Sequence, residues 1–446
     1  MNDRPIHRIV NLVAPERRVP GGTDPEHVSR MLFDDPASLS DLPAAFAVVA
    51  RRGDEVRLAR SLDRPLRYFL AKEGVGPYLV VAERIDEILE RLRIEGHEWQ
   101  FHPTYTRMVP AHHVTEIRLV GCPDPSPRHH RFFSPPKDVL PGDPAAIGTR
   151  YVAALLAEVR AWLDRLPERE PIGVLFSGGI DSGAVLLAAY RALLDSGSGA
   201  ARLKAFTLAV DGGGSDVEQA REFLRAVDLA YLGEELVVAG DTIDPLRAVE
   251  VIEDYKPLDV QCAAVNLAAL EAIRGRYPDW KYLLDGDGGD ENLKDYPIEE
   301  NRELTIRSVV TNPLLYHEGW GVDALKHSET YSGGLSRGYV RTCAPQRRFG
   351  FEGFSPFTRP AVVAVAEGIP FDDLCRGDVE ALYDLKGAVV AAGVREVLGV
   401  DMPAFPKRRF QEGALPSPSF ARHFQVPAET YRSHHLAHFD AASLEA

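Results

Sequence analysis

The stretch "VLFSGGIDSGAVLL", Val174 to Leu187, joins two apolar runs through serines, glycines and one aspartate. The first run, "IGVLFS", is typical of a buried strand, and apolar residues at helical spacing after the glycines predict a helix. Gly178 and Gly179 allow a sharp turn and a close backbone approach to a ligand. Ligands of open parallel sheets bind beyond the carboxyl ends of strands, and a helix N-terminus attracts phosphate. The stretch therefore predicts a nucleotide-phosphate site.

The side chains around these glycines fit the same chemistry. Ser177 and Ser182 can donate hydroxyl hydrogen bonds to phosphate oxygens. A carboxylate beside phosphates requires a cation between them, so Asp181 is a predicted Mg²⁺ ligand. The patterns GxxxxGK[ST] and GxGxxG are absent here, which excludes a Walker A loop and a dinucleotide fingerprint at this position.

The flanking sequence predicts the fold class. Strand patterns such as "RLKAFTLAV", "LGEELVVA" and "KYLLDGDGGDE" alternate with helical patterns, which indicates an α/β fold with a doubly wound parallel sheet. From about Asp295 onward the pattern is mostly helical, and we expect this part to cover the sheet. Residues 1–145 differ, because "AAFAVVARRGDEVRLARS" predicts a β-hairpin and "ERIDEILERLRI" an amphipathic helix. We predict a smaller, mainly β domain at 1–145 and a second domain at 146–446.

Composition narrows the class of protein. The chain has 446 residues, a net charge of −15 and four cysteines without a CxxC pair. This acidic balance argues against general nucleic-acid binding, and the cysteine spacing indicates neither a disulfide framework nor a zinc ribbon. No signal-peptide pattern and no run near the ~18 apolar residues of a membrane span occur, so we expect a cytoplasmic protein that binds no membrane.

Two motifs together resemble a known family. The SGGxDS string is identified as the pyrophosphatase loop of the ATP-pyrophosphatase superfamily, which cleaves ATP to AMP and pyrophosphate. "LLDGDGGDENLKDY", Leu283 to Tyr296, resembles the "GEGADE" segment of asparagine synthetases. The resemblance implies that Asp290 is the second metal ligand beside Asp181, an arrangement suited to Mg²⁺ bridging a leaving pyrophosphate.

The same resemblance assigns further residues. Asp287 stands at the glutamate of the motif, where β-lactam-forming relatives carry tyrosine, and is expected to position or deprotonate the nucleophile. Asp285 stands where a small hydroxyl residue is common. "FPKRRFQEG" resembles the family's lysine segment, so Lys407 is expected to stabilise charge in the transition state. The residues expected to contact ATP or pyrophosphate are Leu175, Ser177, Gly178, Gly179, Asp181, Ser182, Leu208 and Gly286.

Two other segments resemble the family less closely. "RFGFEGFSPFTRP" matches a helical region near the acceptor site of relatives, with Glu352, Pro356 and Phe357 aligned. The first domain resembles an N-terminal-nucleophile (Ntn) glutaminase, through "LARSLDRPLRYFLAKEGVGPYLVVAERIDEIL". That activity requires an N-terminal cysteine, whereas residue 2 is Asn2. We therefore predict a degenerate, inactive glutaminase-like domain at 1–145, and the resemblance implies a possible homodimer.

The predicted function is an ATP-dependent ligase. A substrate carboxylate is adenylated with release of pyrophosphate, and an amine, or ammonia from a source other than glutamine in cis, then forms an amide or lactam. ATP and Mg²⁺ are the implied cofactors, and the partners are small-molecule or peptide substrates, in specialised biosynthesis. Two alternatives remain open: a sulfur transferase of the same superfamily, for which Cys343 is the candidate thiol, and a non-catalytic ATP-binding scaffold.

Overall fold

The computed structural model describes residues 5–21, 23–118, 127–293, 297–298, 301–305, 339–376, 378–405, 413–415 and 417–444. The chain divides into two compact units. The first comprises Met1–Ser134, Ser308–Tyr339 and Ser433–Ala446, and the second comprises Pro135–Arg307 and Val340–Arg432. The assignment of domains at 1–145 and 146–446 stays a prediction. No helix in the described part of the chain combines the length and the apolar character needed to cross a bilayer.

The first unit is mainly β. Its strands are β1 (Arg8–Asn11), β2 (Ala47–Arg52), β3 (Glu55–Arg60), β4 (Arg67–Lys72), β5 (Pro77–Ala82), β6 (Arg107–Met108), β7 (His113–Ile117) and β8 (Arg128–Arg131). They form two sheets, in the orders β1-β5-β4-β6 and β2-β3-β7-β8. The helices of its N-terminal part are α1 (Pro15–Arg18), α2 (Pro25–Asp34) and α3 (Ile85–Ile94).

Apolar residues of both sheets share one core in this unit. Leu58 of β3 and Leu79 of β5 belong to the same buried cluster, so the sheets pack face to face. Alternate residues of β5, such as Val80, point the other way and contact Ile88 and Leu92 of α3. The predicted hairpin is confirmed, since β2 and β3 pair antiparallel around Gly53 and Asp54. The predicted amphipathic helix is confirmed as α3, with Ile85, Ile88, Leu89 and Leu92 buried.

The second unit is built on a five-stranded parallel sheet. Its strands are β9 (Ile172–Leu175), β10 (Leu203–Val210), β11 (Gly233–Val238), β12 (Tyr282–Leu284) and β15 (Glu352–Phe354), and β13 (Pro297–Ile298) pairs separately with β14 (Asn301–Thr305). The order is β11-β10-β9-β12-β15. The chain therefore winds outward from β9 in one direction through β10 and β11, and in the other through β12 and β15. The point between β9 and β12 is where the winding reverses, which is the usual ligand position in such sheets.

Helices surround this sheet. They are α4 (Pro144–Leu163), α5 (Ile180–Asp195), α6 (Ser215–Ala226), α7 (Pro245–Ile252), α8 (Pro257–Arg276), α9 (Gly289–Leu293), α10 (Ala344–Arg348), α11 (Pro360–Glu367), α12 (Phe371–Cys375), α13 (Val379–Gly393) and α14 (Ser417–Phe424). The last helix, α15 (Ala428–Leu444), belongs from Ser433 onward to the first unit, where Phe439 packs with Ile85 and Leu89 of α3. The main core joins residues of β9, β10 and β12 to α4, α5, α6 and α13. The predicted α/β fold with a parallel sheet, a largely helical C-terminal part and a smaller mainly β N-terminal region is confirmed.

One local expectation holds only in part. The stretch from Arg348 to Phe371 was expected to be helical, and α11 (Pro360–Glu367) lies within it, but Glu352–Phe354 forms β15 and pairs in parallel with β12. Its burial explains the strand, since Phe354 stacks on Trp162 with ring centroids 5.2 Å apart. Gly353 has no side chain because a Cβ there would overlap the amide of Gln346. Three residues including a glycine carry too little periodicity to reveal a strand.

Candidate functional site

The loop between β9 and α5 has the geometry of a phosphate cradle. Gly178 has φ +73°, and a Cβ at this position would lie 2.7 Å from the backbone nitrogen of Ala220, so only glycine fits. Gly179 is the N-cap of α5, and no side chain caps the helix there. The first N–H groups of α5 are thus left for a ligand, at the positive end of the helix dipole.

Two hydroxyl groups line this loop. Ser177 Oγ lies 3.3 Å from Ser182 Oγ and accepts from the Gly179 N–H at 3.3 Å. Ser182 Oγ in turn donates to the Gly179 carbonyl at 3.2 Å. These are long hydrogen bonds made within a few residues of each other. Both hydroxyls can exchange them for phosphate oxygens without disturbing another element.

The loop between β12 and α9 lies directly against the first one. Leu284 of β12 pairs with Val174 of β9, so the two strands end side by side. A Cβ on Gly286 would lie 2.9 Å from the Ser182 nitrogen. A Cβ on Gly289 would overlap the carboxylate of Asp181. These glycines are therefore required by the contact between the two loops.

The structure brings the two predicted metal ligands together. Lys386 Nζ donates to Asp181 Oδ2 and to Asp290 Oδ1, each at 2.5 Å. The two carboxylate oxygens are consequently no more than 5.0 Å apart, twice that distance. Among the described residues, none donates a hydrogen bond to the buried Oδ1 of Asp181. A pair of close carboxylates with an unused buried oxygen is a suitable donor set for a divalent cation.

Sequence reasoning missed Lys386. It lies on α13, and its side chain is 3 % exposed. The signal was present, because "LKGAVVAAG" places a single lysine in an otherwise apolar helix face. A lysine is almost never fully buried without a paired acid, so its position in this pattern predicts a buried carboxylate partner.

Asp285 organises the second loop. Its Oδ1 accepts from the Ser355 hydroxyl at 2.5 Å and from the Asp287 N–H at 3.1 Å. Its Oδ2 accepts from the Gln346 amide at 3.3 Å. The carboxylate that departs from the family pattern therefore joins the end of β12 to residues after β15 and on α10. Its charge is satisfied by three donors of this chain.

Asp287 lies beside the Asp285 carboxylate and accepts a hydrogen bond from a different residue. The hydroxyl of Thr342 donates to Asp287 Oδ2. Burial and the negative charge of Asp285 raise the pKa of Asp287 well above its usual range, and the Thr342 hydrogen bond and Arg341 oppose this rise. Burial and the charge of Asp290 also raise the pKa of Glu291. A carboxyl group with a raised pKa has the property needed of a general base.

Tyr151 contacts the helix that carries Asp290. It is fully buried, and its hydroxyl accepts from the Asn292 amide at 3.2 Å. Burial raises its pKa well above that of a free phenol, and the nearby charges of Asp181 and Asp290 add to the rise. The ring stacks on Phe357 at 5.7 Å. Tyr151 is therefore a neutral, fixed support for α9, which carries Asp290.

The remaining predicted residues divide into three groups. Leu208 is buried on β10, and Leu175 ends β9, both on strands that flank the first loop. Glu352 is exposed and pairs with Lys281 at 2.9 Å, at the start of β15, whereas the site is at the ends of the strands. Lys407 lies outside the described residues, so its role stays a prediction.

Comparisons with known proteins agree with this geometry. Residues 154–332 match the model of the family described as asparagine synthase. No curated protein matches the chain. The matched residues include both strand-end loops, and the family supports ATP-dependent, amide-bond-forming ligase activity in general. On this match, residues 154–332, which carry both loops, are similar to the asparagine synthase family.

Proposed function

We propose that this chain is an AMP-forming ligase, which adenylates a carboxylate and then joins it to an amine. The observation that carries the proposal is the pair Asp181 and Asp290, held within 5.0 Å of each other by Lys386 at neighbouring strand ends. The uncapped N-terminus of α5 lies next to Asp181. A phosphate site beside two carboxylates suits cleavage of a nucleoside triphosphate whose phosphates share a cation with those carboxylates.

The donor set fits Mg²⁺ held by Asp181 and Asp290. Among the described residues no group of three or more His, Cys, Asp and Glu side chains could hold a metal ion. The other ligands would therefore be phosphate oxygens and water, as is usual for Mg²⁺ in nucleotide sites. When bound, the ion supplies charge neutralisation to the pyrophosphate.

The residues of the first loop bind the phosphates. Ser177 and Ser182 donate their hydroxyls, and Gly178 and Gly179 allow the backbone to approach. Leu175, Leu208 and Gly286 complete the nucleotide site. Lys386 keeps the two carboxylates from repelling each other, and Lys407 supplies a second cation toward the α-phosphate.

The chemistry has two steps. In the first, a carboxylate oxygen of the substrate attacks the α-phosphorus of ATP, and the bond to pyrophosphate breaks. In the second, an amine nitrogen attacks the acyl carbon, the C–O bond to AMP breaks, and the amine proton passes to Asp287. The raised pKa of Asp287 suits it to accept this proton.

The nitrogen comes from an amine or ammonia that this chain does not release from glutamine. We propose that residues 1–145, whose single cysteine is Cys122, are a degenerate glutaminase-like domain that supports a homodimer. The substrates are small carboxylates and amines or a peptide, in specialised biosynthesis. Sulfur transfer is the second candidate, because the half-buried Cys343 directly follows Thr342, which contacts Asp287.

The test is a product assay across a panel of carboxylic acids. With a substrate carboxylate, ATP and Mg²⁺, the protein is expected to release pyrophosphate and, once an amine is added, AMP. Asp181→Asn is expected to lower this rate by about 100-fold or more. Asp378→Asn is the matched control, because Asp378 caps α13 at its exposed start and asparagine caps equally well. Formation of ADP and orthophosphate would contradict the proposal, and so would a chain that binds ATP without turnover. Formation of a thiolated product would favour sulfur transfer.

A further inference from the structure

Thr342 stands out among the buried residues near the second loop. Its side chain is almost fully buried, and its hydroxyl donates to Asp287 Oδ2 from 55 positions further along the chain. It belongs to a π-helical turn, Tyr339–Cys343. Such turns are rare and are often found at functional sites. No motif in the sequence singled this threonine out.

A neighbouring amide fixes the direction of the hydroxyl. Asn266 of α8 is buried, and its Nδ2 donates to Thr342 Oγ1 at 3.2 Å. Because the threonine oxygen already accepts this hydrogen bond, its own hydrogen is directed to the carboxylate. The three side chains form a chain of donors that runs from Asn266 through Thr342 to Asp287.

Two further contacts anchor this arrangement to α8. The same Asn266 Nδ2 donates to the Arg341 carbonyl at 2.8 Å. Arg341 Nε donates at 2.8 Å to Asp259 Oδ1, and Asp259 is fully buried at the start of α8. The turn that carries Thr342 is therefore attached to a long helix that contributes no residue to either loop. Through these contacts, α8 holds the position of the Asp287 side chain from outside the glycine-rich segment that carries Asp287.

Thr342 contacts only one oxygen of the Asp287 carboxylate. Within the described part of the chain, Oδ1 of Asp287 receives no hydrogen bond, while Oδ2 receives that of Thr342. The contact holds the plane of the carboxylate and leaves the other oxygen for a reacting group. A base of this kind is effective only when it is held within reach of the proton it accepts.

We propose that Thr342, oriented by Asn266, is a positioning residue that aims the Asp287 carboxylate at the attacking amine. This rests on the proposed function, since it names the support for the proposed base. The charged and titratable groups that face Asp287 are Asp285 on its own loop, Glu291 on α9, Arg341 on the π-helical turn and Cys262 on α8. Removing the threonine hydroxyl leaves all of them in place.

Three variants separate positioning from folding. Thr342→Val removes the hydroxyl at nearly constant volume, and Thr342→Ser restores it. Thr358→Val is the matched control, because Thr358 is equally buried but donates at 2.7 Å to the carbonyl of Ser355, which does not titrate. The adenylation half-reaction is followed as carboxylate-dependent ATP–pyrophosphate exchange, and the second step as amine-dependent AMP release.

Thr342→Val is expected to keep ATP–pyrophosphate exchange and its KM for ATP, and to lower kcat of the amine-dependent step by on the order of 10-fold to 100-fold. Because the Thr342 hydrogen bond lowers the pKa of Asp287, its loss raises that pKa. The acid limb of the pH profile should move to higher pH in Thr342→Val, and return in Thr342→Ser. An unchanged profile, or an equal shift in Thr358→Val, would overturn the inference.

A second measurement does not depend on activity. With ¹³C-labelled aspartate carboxyl groups, the resonance that is missing in Asp287→Asn belongs to Asp287. Its titration midpoint should rise in Thr342→Val and stay in place in Thr358→Val. If the wild-type chain shows no ATP–pyrophosphate exchange with any carboxylate, the proposed function fails, whereas an unmoved Asp287 midpoint contradicts the positioning contact itself.

Discussion

The two strand-end loops of the site are held in opposite ways. In the first, the hydroxyls of Ser177 and Ser182 make hydrogen bonds to residues two to five positions away, and one bond, from the Gln219 amide to the Ser177 carbonyl, spans 42 positions. In the second, Asp285 and Asp287 accept hydrogen bonds from residues 55 to 70 positions further along the chain. The hydroxyl groups of the first loop bond mostly within that loop, whereas the carboxylates of the second accept hydrogen bonds from a segment much later in the chain.

This difference has a functional meaning. A self-contained loop can present the same N–H and hydroxyl groups to phosphate whatever the rest of the chain carries. A loop that is supported from outside can be adjusted by changes in the supporting segment. On the proposed function, the first loop would bind the nucleotide in the same way for any substrate, whereas changes in the segment that supports Asp287 would alter the amine-dependent step.

The largest expected effect comes from the residue that joins both loops. Lys386→Met leaves Asp181 and Asp290 close together and uncompensated in a buried place. Removing one partner from a buried ion pair typically costs about 3–5 kcal/mol. We expect a loss of this size in the free energy of unfolding, measured in urea without nucleotide.

The control for Lys386→Met is a second substitution at one of the two aspartates that the lysine contacts. The double variant Lys386→Met with Asp181→Asn should recover part of the lost stability, since one of the two repelling charges is gone. Equal unfolding free energies for the wild type and Lys386→Met would mean that the lysine does not bridge the loops.

The next largest effect is expected from a variant that removes hydrogen bonds between the second loop and distant residues. Asp285→Asn places an amide where Ser355, Gln346 and the Asp287 N–H all donate, so at least one donor loses its acceptor. The expected cost is about 1.5–3 kcal/mol in unfolding free energy, with a fall in amine-dependent turnover. Asp401→Asn, at an exposed position, should change either quantity far less. A similar effect of both substitutions would remove the distinction between the loops.

A third variant tests the contact between the loops. Gly289→Ala introduces a methyl group into the Asp181 carboxylate, and overpacking of this kind costs about 1–3 kcal/mol. Gly387→Ala, on α13 beside Lys386, meets nothing within 4 Å and should be neutral or stabilising. The melting temperatures of the two variants give the comparison. If Gly289→Ala is as stable as Gly387→Ala, the loops do not touch as described.

The smallest expected effect belongs to the self-contained loop. Ser177→Ala removes two long hydrogen bonds, at 3.3 Å each, and leaves the Ser182 hydroxyl in place. We expect the free energy of ATP binding, measured by calorimetry, to weaken by about 0.5–1.5 kcal/mol, and the free energy of unfolding to change little. Ser196→Ala, whose hydroxyl donates to the Leu193 carbonyl at the far end of α5, is the control. A large loss of stability in Ser177→Ala would contradict the small contribution expected of these two long hydrogen bonds.

The strand, turn and helix around the first loop were predictable from the sequence, because the residues that shape the turn lie close together in the chain. Ser177, Gly178 and Ser182 act within one turn of chain, so their spacing alone carries the geometry. The parallel sheet was also predictable, because buried strands such as β9 and β10 read as continuous apolar runs. Lys386 was not found, since its partners lie 205 and 96 positions away and no short-range pattern links them.

The second loop was only partly predictable. Its glycines and acids marked a site, but the part played by Asp285 could not be understood without Ser355 and Gln346. Thr342 lies in no recognisable motif, and β15 is three residues long. Information of this kind is held in tertiary contacts, which a one-dimensional pattern does not record.

The position of β15 has a consequence for how the protein is made. Tyr282 of β12 pairs with Glu352 of β15, so β12 emerges from the ribosome 70 residues before its neighbour exists. Until then one edge of β12 is open, and Asp285 has neither Ser355 nor Gln346. Pairings between distant segments form slowly, and open edges favour association with other chains. The segment that supports the second loop therefore also covers the open edge of β12 during biosynthesis, so damage to it should appear as poor yield before it appears as poor catalysis.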